Sequence, residues 1–287
     1  MGRFAVVTDS TSNLSPGPAE SLGIPVIPCT VHWGEESYID GVTLDADTFY
    51  RWLKERKEFP KTSQPSAGAF IDFFEQVAER HEVDEILAIL VSADLSGTMS
   101  SAVQARARLS EVRPELRIEL VDSRSVSMGT GLQVLAAKSV ADAGGTIEAA
   151  IAAAGRCLAS SHVLFAVDTL EYLHRGGRIG SASRLLGSAL NLKPVLTIEN
   201  GRVEALEKVR SRAKSLRRIV EIAEARLQGR QPAALAMIHA EADGELPEFT
   251  EMVVERLRPK TLYTRALTPV VGTHGGPGTL GIALYTE

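Results

Sequence analysis

Short apolar runs alternate with longer amphipathic stretches in the first half of the 287-residue chain, and this alternation is what most restricts its fold. The apolar runs, which predict buried strands, lie at residues 4–7, 26–31, 85–91 and 117–121. The amphipathic stretches, which predict helices, lie at 45–57, 67–80, 98–110 and 128–143. Because strands that alternate with helices form a parallel sheet covered by helices, this half predicts a parallel α/β domain.

The second half of the chain has a different pattern. A helix is predicted at residues 149–159 and a strand at 162–167, and strands at 195–198 and 202–206 flank Asn200-Gly201. This dipeptide favours a two-residue hairpin, so antiparallel pairing is predicted here. We therefore predict a two-domain α/β protein, with a parallel-sheet N-terminal domain (1–160) and a mixed-sheet α/β C-terminal domain (161–287).

Composition restricts the class of protein further. The 31 basic and 36 acidic residues give a net charge of −5, and no basic block is present, which argues against nucleic acid. No run of 18 apolar residues and no signal peptide is present, so we expect a cytoplasmic protein without stable membrane insertion. No two histidines are spaced i, i+3 or i, i+4, and the two cysteines are far apart in sequence, so no metal site is expected.

One histidine stands in a glycine-rich segment. Residues 271–278 read Val-Gly-Thr-His-Gly-Gly-Pro-Gly, which predicts a loop around His274 that can approach a ligand closely. Residues 276–281 also fit the dinucleotide pattern G-x-G-x-x-G. That pattern requires a helix after it, whereas residues 281–287 are typical of a strand, so a dinucleotide site is not expected.

Four hydroxyl-rich clusters, most of which follow a predicted strand, are further site candidates. Because such turns meet at one edge of a parallel sheet, we expect the clusters to converge and hold an anion such as a carboxylate or phosphate. Helix capping is the alternative for single clusters, above all for Ser66 and also for Ser96. The clusters lie at residues 8–12, 62–66, 96–98 and 122–125.

Catalytic motifs are weaker than these anion-binding features. Ser96 lacks the flanking glycines of a nucleophile elbow, His274 has no acidic residue close in sequence, and no phosphate-binding loop motif is present. Arg175 and Arg178 straddle Gly176-Gly177, where they could grip a phosphate or acidic groups of a partner. A left-handed helix end at Gly176 is the alternative explanation for this glycine pair.

Taken in order along the chain, these residues resemble the DegV family, the fatty-acid-binding subunits of bacterial fatty acid kinases. The resemblance departs at Met99-Ser100, where the family pattern has an aromatic residue followed by glutamine, so we expect the site lining to differ there. The motifs that carry it are Thr8-Asp9-Ser10, Asp40-Gly41, residues 61–66, Leu95-Ser96-Gly97-Thr98, Asp122-Ser123, and residues 172–179, 192–196 and 271–278.

The resemblance implies a fatty acid of about 16–18 carbons (C16–C18) between the two domains, with no other cofactor. It implies that Thr62, Ser96 and His274 hold the carboxylate, which a separate kinase subunit phosphorylates to an acyl phosphate. We expect Arg175 and Arg178 to contact that partner or a phosphate. The supporting loop residues are Ser63, Gly97, Thr98 and Gly275.

On this interpretation the protein is a lipid-binding subunit of phospholipid precursor metabolism and not an enzyme in itself. Two alternatives remain open from the residues. The chain could be a Ser/His acyl hydrolase that uses Ser96 and His274, or it could bind another small anion such as a phosphorylated metabolite.

Overall fold

A computed structural model describes residues 4–14, 17–187 and 192–287. The strands in this part of the chain are β1 (Phe4–Asp9), β2 (Val26–Ile27), β3 (Thr30–Trp33), β4 (Glu36–Ile39), β5 (Lys61–Ser63), β6 (Glu85–Leu90), β7 (Arg117–Asp122), β8 (His162–Ala166), β9 (Val195–Glu199), β10 (Arg202–Glu207), β11 (Ala234–His239), β12 (Leu262–Ala266) and β13 (Leu280–Tyr285). The α-helices are α1 (Pro18–Ser21), α2 (Ala46–Glu55), α3 (Ala67–His81), α4 (Thr98–Val112), α5 (Met128–Asp142), α6 (Ile147–Ala159), α7 (Glu171–Arg175), α8 (Arg212–Leu227), α9 (Leu246–Leu257) and α10 (Pro269–Gly275).

The first half forms a four-stranded parallel sheet in the order β2-β1-β6-β7. Its central strand β1 is buried along its whole length, as expected for a strand with helices on both faces. The predicted strand at 26–31 is wrong as a single element. It divides into β2 and β3, which belong to different sheets, and Pro28, which has no N–H to donate to a ladder, lies at the break.

The second half forms a six-stranded mixed sheet in the order β10-β9-β8-β13-β11-β12. Strands β9 and β10 pair antiparallel around Asn200-Gly201, whose φ values of 50° and 80° are those of the predicted tight hairpin turn. The predicted α/β fold, with a parallel sheet followed by a mixed sheet, is confirmed. The domain boundary near residue 160 stays a prediction, since β7 ends at Asp122 and β8 begins at His162.

A small antiparallel sheet, β4-β3-β5, adds a third unit to the first half of the chain. In sequence, α2 lies between β4 and β5, and α3 follows β5, the strand that carries Thr62. Ser66 caps α3 by accepting the Ala69 N–H at 3.1 Å, so the capping role predicted for it is confirmed.

The hydrophobic cores arrange these elements in layers. Helices α3 and α4 pack on the parallel sheet through Phe70, Phe74 and Ala105, and α8 and α9 cover the mixed sheet through Ile219 and Phe249. A third core surrounds α5 and α6, and α5 contacts β1 and β6 as well as β11 and β13. The pair α5–α6 therefore joins the two sheets, and the space beside the start of α5 is where both sheets can contribute to one cavity.

In the part of the chain described, no helix is both long and apolar enough to span a bilayer. Across the same residues, no cluster of three or more histidine, cysteine or acidic side chains could hold a metal ion.

Candidate functional site: a cavity with one polar end

One cavity is lined by residues from both halves of the chain. About 940 Å³ inside it is not filled by protein atoms, a volume that includes solvent space at its open mouth. Most of its wall is apolar. Residues of that wall include Val91, Val126, Val163, Phe165, Ile198 and Ile238.

A group of polar side chains interrupts this apolar wall, and we call this group the polar end of the cavity. Thr62, Ser63, Ser96 and His274 all line it, although they come from three separate segments of the chain. The Thr62 hydroxyl and His274 Nε2 are 3.0 Å apart and form a hydrogen bond. Two of the residues predicted to contact one ligand head group are thus in direct contact, and the third lies in the same cavity wall.

Thr62 reaches the cavity by a route that the sequence pattern misassigned. It was predicted on a turn that follows a parallel strand, but it lies within β5, which pairs antiparallel with β3 in the small sheet. Ser63 follows it, and the Ser63 hydroxyl lies 2.8 Å from His32 Nε2 on β3. The expected convergence at a single sheet edge is therefore wrong for this cluster, whose hydroxyls come from a different sheet.

The other two clusters contribute less to the cavity than expected. At the end of β1 the Asp9 carboxylate is buried and accepts hydrogen bonds from the N–H groups of Thr11 (2.9 Å) and Val91 (2.8 Å), so it holds the chain in place. Thr11 is the member of that cluster that lines the cavity. After β7, the cavity is lined by Val126 and Ser127, which follow the predicted hydroxyl cluster.

His274 lies on a short helix, not in the predicted loop. Residues Pro269–Gly275 form α10, and the chain turns only after it, at Gly276 and Gly278, whose φ values are 76° and 77°. Burial and, to a smaller extent, the nearby Arg178 cation together lower the pKa of the His274 imidazole to about 4. The side chain is therefore neutral at pH 7, and its buried Nδ1 has no hydrogen-bond partner among the described residues.

Gly275, predicted as a supporting residue, closes α10 beside His274. A Cβ at this position would lie 3.2 Å from the Thr279 hydroxyl and 3.3 Å from Leu267, so the wall here has little room for a side chain. Gly275 and Thr279 both line the cavity.

Ser96 precedes α4 but does not occupy its N-cap position. The N-cap residue is Gly97, which has no side chain to cap with, but the Ser96 hydroxyl accepts the N–H of Thr98, the first residue of α4, at 3.3 Å. The Ser96 hydroxyl also lies 2.8 Å from the hydroxyl of Thr98, which is buried. A Cβ at Gly97 would lie 2.7 Å from the Gln64 amide nitrogen, so the Gln64 side chain packs closely over the start of the helix.

Gln64 lines the cavity and was not singled out from the sequence. Its position two residues after Thr62, in the same motif, was the available signal. The departure from the family pattern at Met99-Ser100 falls outside the cavity wall, because Met99 packs against the core of the parallel sheet and Ser100 is exposed.

The structure separates the two arginines that were predicted to act together. Arg178 lines the cavity and donates from Nε to the Leu95 carbonyl at 3.0 Å and from Nη1 to the Gly176 carbonyl at 2.7 Å. Arg175 is exposed, lies over the Phe59 ring and pairs with Glu171 at 2.5 Å. The two arginines therefore cannot share one role, although both were predicted to contact a partner or a phosphate.

The glycine pair between these arginines has a packing role. The left-handed residue is Gly177, with φ of 70°, and not Gly176, as the alternative explanation required. A Cβ at Gly176 would overlap His274 Nδ1, so the absence of a side chain here is what leaves room for the imidazole ring.

These contacts do not form a catalytic triad. His274 Nε2 is bonded to Thr62, the Ser96 hydroxyl is bonded to Thr98, and no acidic side chain orients His274 Nδ1 within the described part of the chain. A nucleophilic serine needs the histidine as its hydrogen-bonded base and an orienting group behind it. The arrangement offers hydrogen bonds and one cation beside an apolar cavity, which suits the carboxylate of an amphipathic ligand.

Comparison with known families shows where this arrangement belongs. The family model described as "Uncharacterised protein, DegV family" matches residues 3–287. The chain belongs to the DegV family. A DegV domain-containing protein from Streptomyces coelicolor is 38% identical to it over 288 residues, which cover 99% of this chain and 98% of that relative.

Solved structures of other DegV family proteins share its fold. A family member from Thermus thermophilus, reported for its fatty acid binding, is 34% identical, with a TM-score of 0.91 over 99% of this chain and 100% of that one. A stearic acid-binding protein from Eubacterium ventriosum is 25% identical, with a TM-score of 0.90 over 99% of this chain and 98% of that one.

Proposed function

We propose that this DegV family protein binds a long-chain fatty acid in its cavity and presents the carboxylate to a separate kinase subunit. The observation that carries the proposal is the division of one cavity into an apolar wall and a polar end at Thr62, Ser96 and His274. An amphipathic acid fits both parts at once. The fatty acids bound by family members of the same fold support this choice of ligand.

The two ends of the cavity have different energetic roles. An acyl tail of sixteen carbons buries about fourteen CH₂ groups at about 0.8 kcal/mol each, so it contributes at most roughly 11 kcal/mol. Removing the carboxylate from water costs several kcal/mol, which hydrogen bonds of about 1.5–3 kcal/mol each largely offset. The tail therefore supplies the affinity, and the polar end fixes the orientation of the head group.

The charges at the polar end divide the work between two residues. Because His274 is neutral at pH 7, it contributes a hydrogen bond to the carboxylate but no compensating charge. Among the described residues of the cavity wall, Arg178 is the only arginine or lysine. Its guanidinium lies close enough to His274 to lower the pKa of the imidazole. We assign charge compensation to Arg178 and hydrogen bonding to His274, Thr62 and Ser96.

Delivery of the carboxylate to a kinase needs a surface next to the polar end. Helix α7 provides one, because Gly176 at its end packs against the His274 ring and Tyr172 packs against Gly276. Arg175 on this helix is 53% exposed, so its guanidinium is accessible to an acidic group of a partner. We therefore assign the partner contact to Arg175 alone.

Native mass spectrometry of freshly purified protein tests the proposal. We expect a co-purified mass of a fatty acid with about 16–18 carbons, because a tail of this length is held by burial of its CH₂ groups. After delipidation, adding the kinase subunit and ATP with a supplied fatty acid should yield an acyl phosphate. A sugar phosphate as the bound mass would favour the small-anion alternative. Ester hydrolysis by the pure chain that is lost in Ser96→Ala and His274→Ala would favour the hydrolase.

A further inference from the structure

The helix that carries His274 is too short to be stable by itself. Helix α10 has 7 residues, and isolated helices shorter than about 12 residues are marginal in water. Yet its residues Val270, Val271, His274 and Gly275 line a large part of the cavity. Their positions must therefore be set by contacts that α10 makes with the rest of the molecule.

Asp40 makes such a contact at the first turn of α10. Its carboxylate oxygen Oδ1 accepts the Val270 N–H at 3.1 Å, across 230 positions of sequence. The N-cap residue of the helix, Thr268, makes no side-chain capping bond, so the acceptor comes from Asp40 instead. Asp40 is only 2% exposed and follows β4 directly, which makes it a rigid point of attachment.

This contact determines which way His274 faces. Residues at positions i and i+4 lie on the same side of a helix, so holding the backbone of Val270 also sets the rotation of α10 at His274. Tyr50 packs beside the same helix, where a Cβ at Gly272 would overlap its hydroxyl. That hydroxyl donates to the Leu267 carbonyl at 3.2 Å, so its hydrogen bond is made to the chain before α10 and not to the helix itself.

We propose that Asp40 is a positioning residue for the polar end of the cavity, because its capping bond to Val270 orients α10 so that His274 faces Thr62 and the ligand head group. This inference rests on the proposed function, because the head group is that of the fatty acid. Asp40 does not touch the ligand in this assignment, and it acts through α10 alone.

The surroundings of Asp40 agree with a role other than stability. It is buried near a second buried carboxyl, Asp9, and burial raises the pKa of Asp40 to about 7. A buried acid beside another acid lowers the stability of a fold. The acceptor that it supplies to α10 gives this carboxyl a role that offsets this cost.

Three variants test the assignment: Asp40→Ala removes the acceptor, Asp40→Asn keeps an oxygen at the same place, and Tyr50→Phe removes a different buried hydrogen bond beside the same helix. We expect Asp40→Ala to weaken fatty acid binding about fivefold, the ratio that corresponds to one capping interaction, and to shift the imidazole NMR signals of His274. Asp40→Asn should restore both. Tyr50→Phe should lower stability but leave the His274 signals in place.

The NMR readouts are taken without lipid, so they test Asp40 even if wild-type protein binds no fatty acid and the proposed function fails. Amide exchange at Val270 in wild-type and Asp40→Asn protein covers the case in which Asp40→Ala does not fold, because both should protect this N–H. Rapid exchange at Val270 in wild-type protein would overturn the assignment. So would unchanged His274 signals in a folded Asp40→Ala variant, or equal shifts in the Tyr50→Phe control.

Discussion

Arg175 and Arg178 are three residues apart, yet the fold places them in different surroundings. Arg178 lines the cavity and is held by two backbone carbonyls, whereas Arg175 is exposed and pairs with Glu171. The guanidinium of Arg178 is therefore pre-organised, and little side-chain entropy is lost when it meets a carboxylate. His274, beside it, is kept neutral by burial and by this cation.

A matched pair of substitutions tests this division of roles. Arg178→Gln should weaken fatty acid binding by about 1.5–3 kcal/mol, the typical contribution of a hydrogen bond to a charged group. Arg175→Gln should leave that affinity unchanged and raise the KM of the kinase for the loaded protein. Calorimetry on delipidated protein and a coupled kinase assay measure the two effects. Equal losses of lipid affinity in both variants would contradict the assignment.

At the scale of elements, the β9–β10 hairpin joins the mixed sheet to the first half of the chain. Its tip contacts the segment after β6: the Ser92 hydroxyl donates to the Gly201 carbonyl at 2.8 Å, and Arg202 pairs with Asp94 at 2.6 Å. The strands behind the tip supply Ile198 and Val203 to the cavity wall. The tight turn that the sequence predicts therefore also determines how one wall of the cavity is held.

Alanine substitutions at two glycines with nearly the same φ separate the contribution of this contact from that of backbone strain. Gly201 has φ of 80° and Gly229 has φ of 81°, but a Cβ at Gly201 would overlap the Ser92 hydroxyl, whereas nothing lies within 4 Å of a Cβ at Gly229. Gly229→Ala should cost about 1–2 kcal/mol in the free energy of unfolding, from backbone strain alone. Gly201→Ala should cost more and should also weaken fatty acid binding. Urea unfolding and lipid titration of both variants provide the measurements, and equal losses of stability would argue against the docking of the tip.

At the scale of the whole molecule, the packing of the two halves buries ionisable groups whose effects on stability oppose each other. Asp40, beside buried Asp9, has its pKa raised from 3.8 to about 7. Between these values the folded state binds more protons than the unfolded state, so stability falls as pH rises through this window. His274 has its pKa lowered from 6.5 to about 4, so it contributes a rise in stability as pH increases through that range.

Replacing either group should remove its own contribution to the pH dependence of stability and leave that of the other group. Relative to wild type, Asp40→Asn should gain stability as the pH rises from about 4 to about 7, by on the order of 4 kcal/mol, because a difference of one pKa unit corresponds to about 1.36 kcal/mol. His274→Asn should show the opposite trend, with its advantage over wild type at low pH. Urea unfolding at pH 5 and pH 8 measures both variants. A constant difference between wild type and Asp40→Asn at the two pH values would show that Asp40 is not perturbed by its burial.

Local patterns in the sequence predicted the elements whose structure depends on neighbouring residues. The alternation of apolar runs and amphipathic stretches predicted the strands and helices of the first half, Asn200-Gly201 predicted the hairpin, and Ser66 predicted a helix cap. In each case the determining interaction, whether burial of one face, a positive φ or a cap three residues away, lies within a few positions of the chain.

Only the tertiary structure decided the details of the site, because these depend on contacts between distant segments. The glycine-rich segment around His274 predicted a loop, but α10 forms there with its first turn bonded to Asp40, 230 positions away. Desolvation in the folded state gives His274 its low pKa, and it has no counterpart in the linear sequence. The sequence by itself determined which polar residues were available, and the packing of the two halves decided which of them face the cavity.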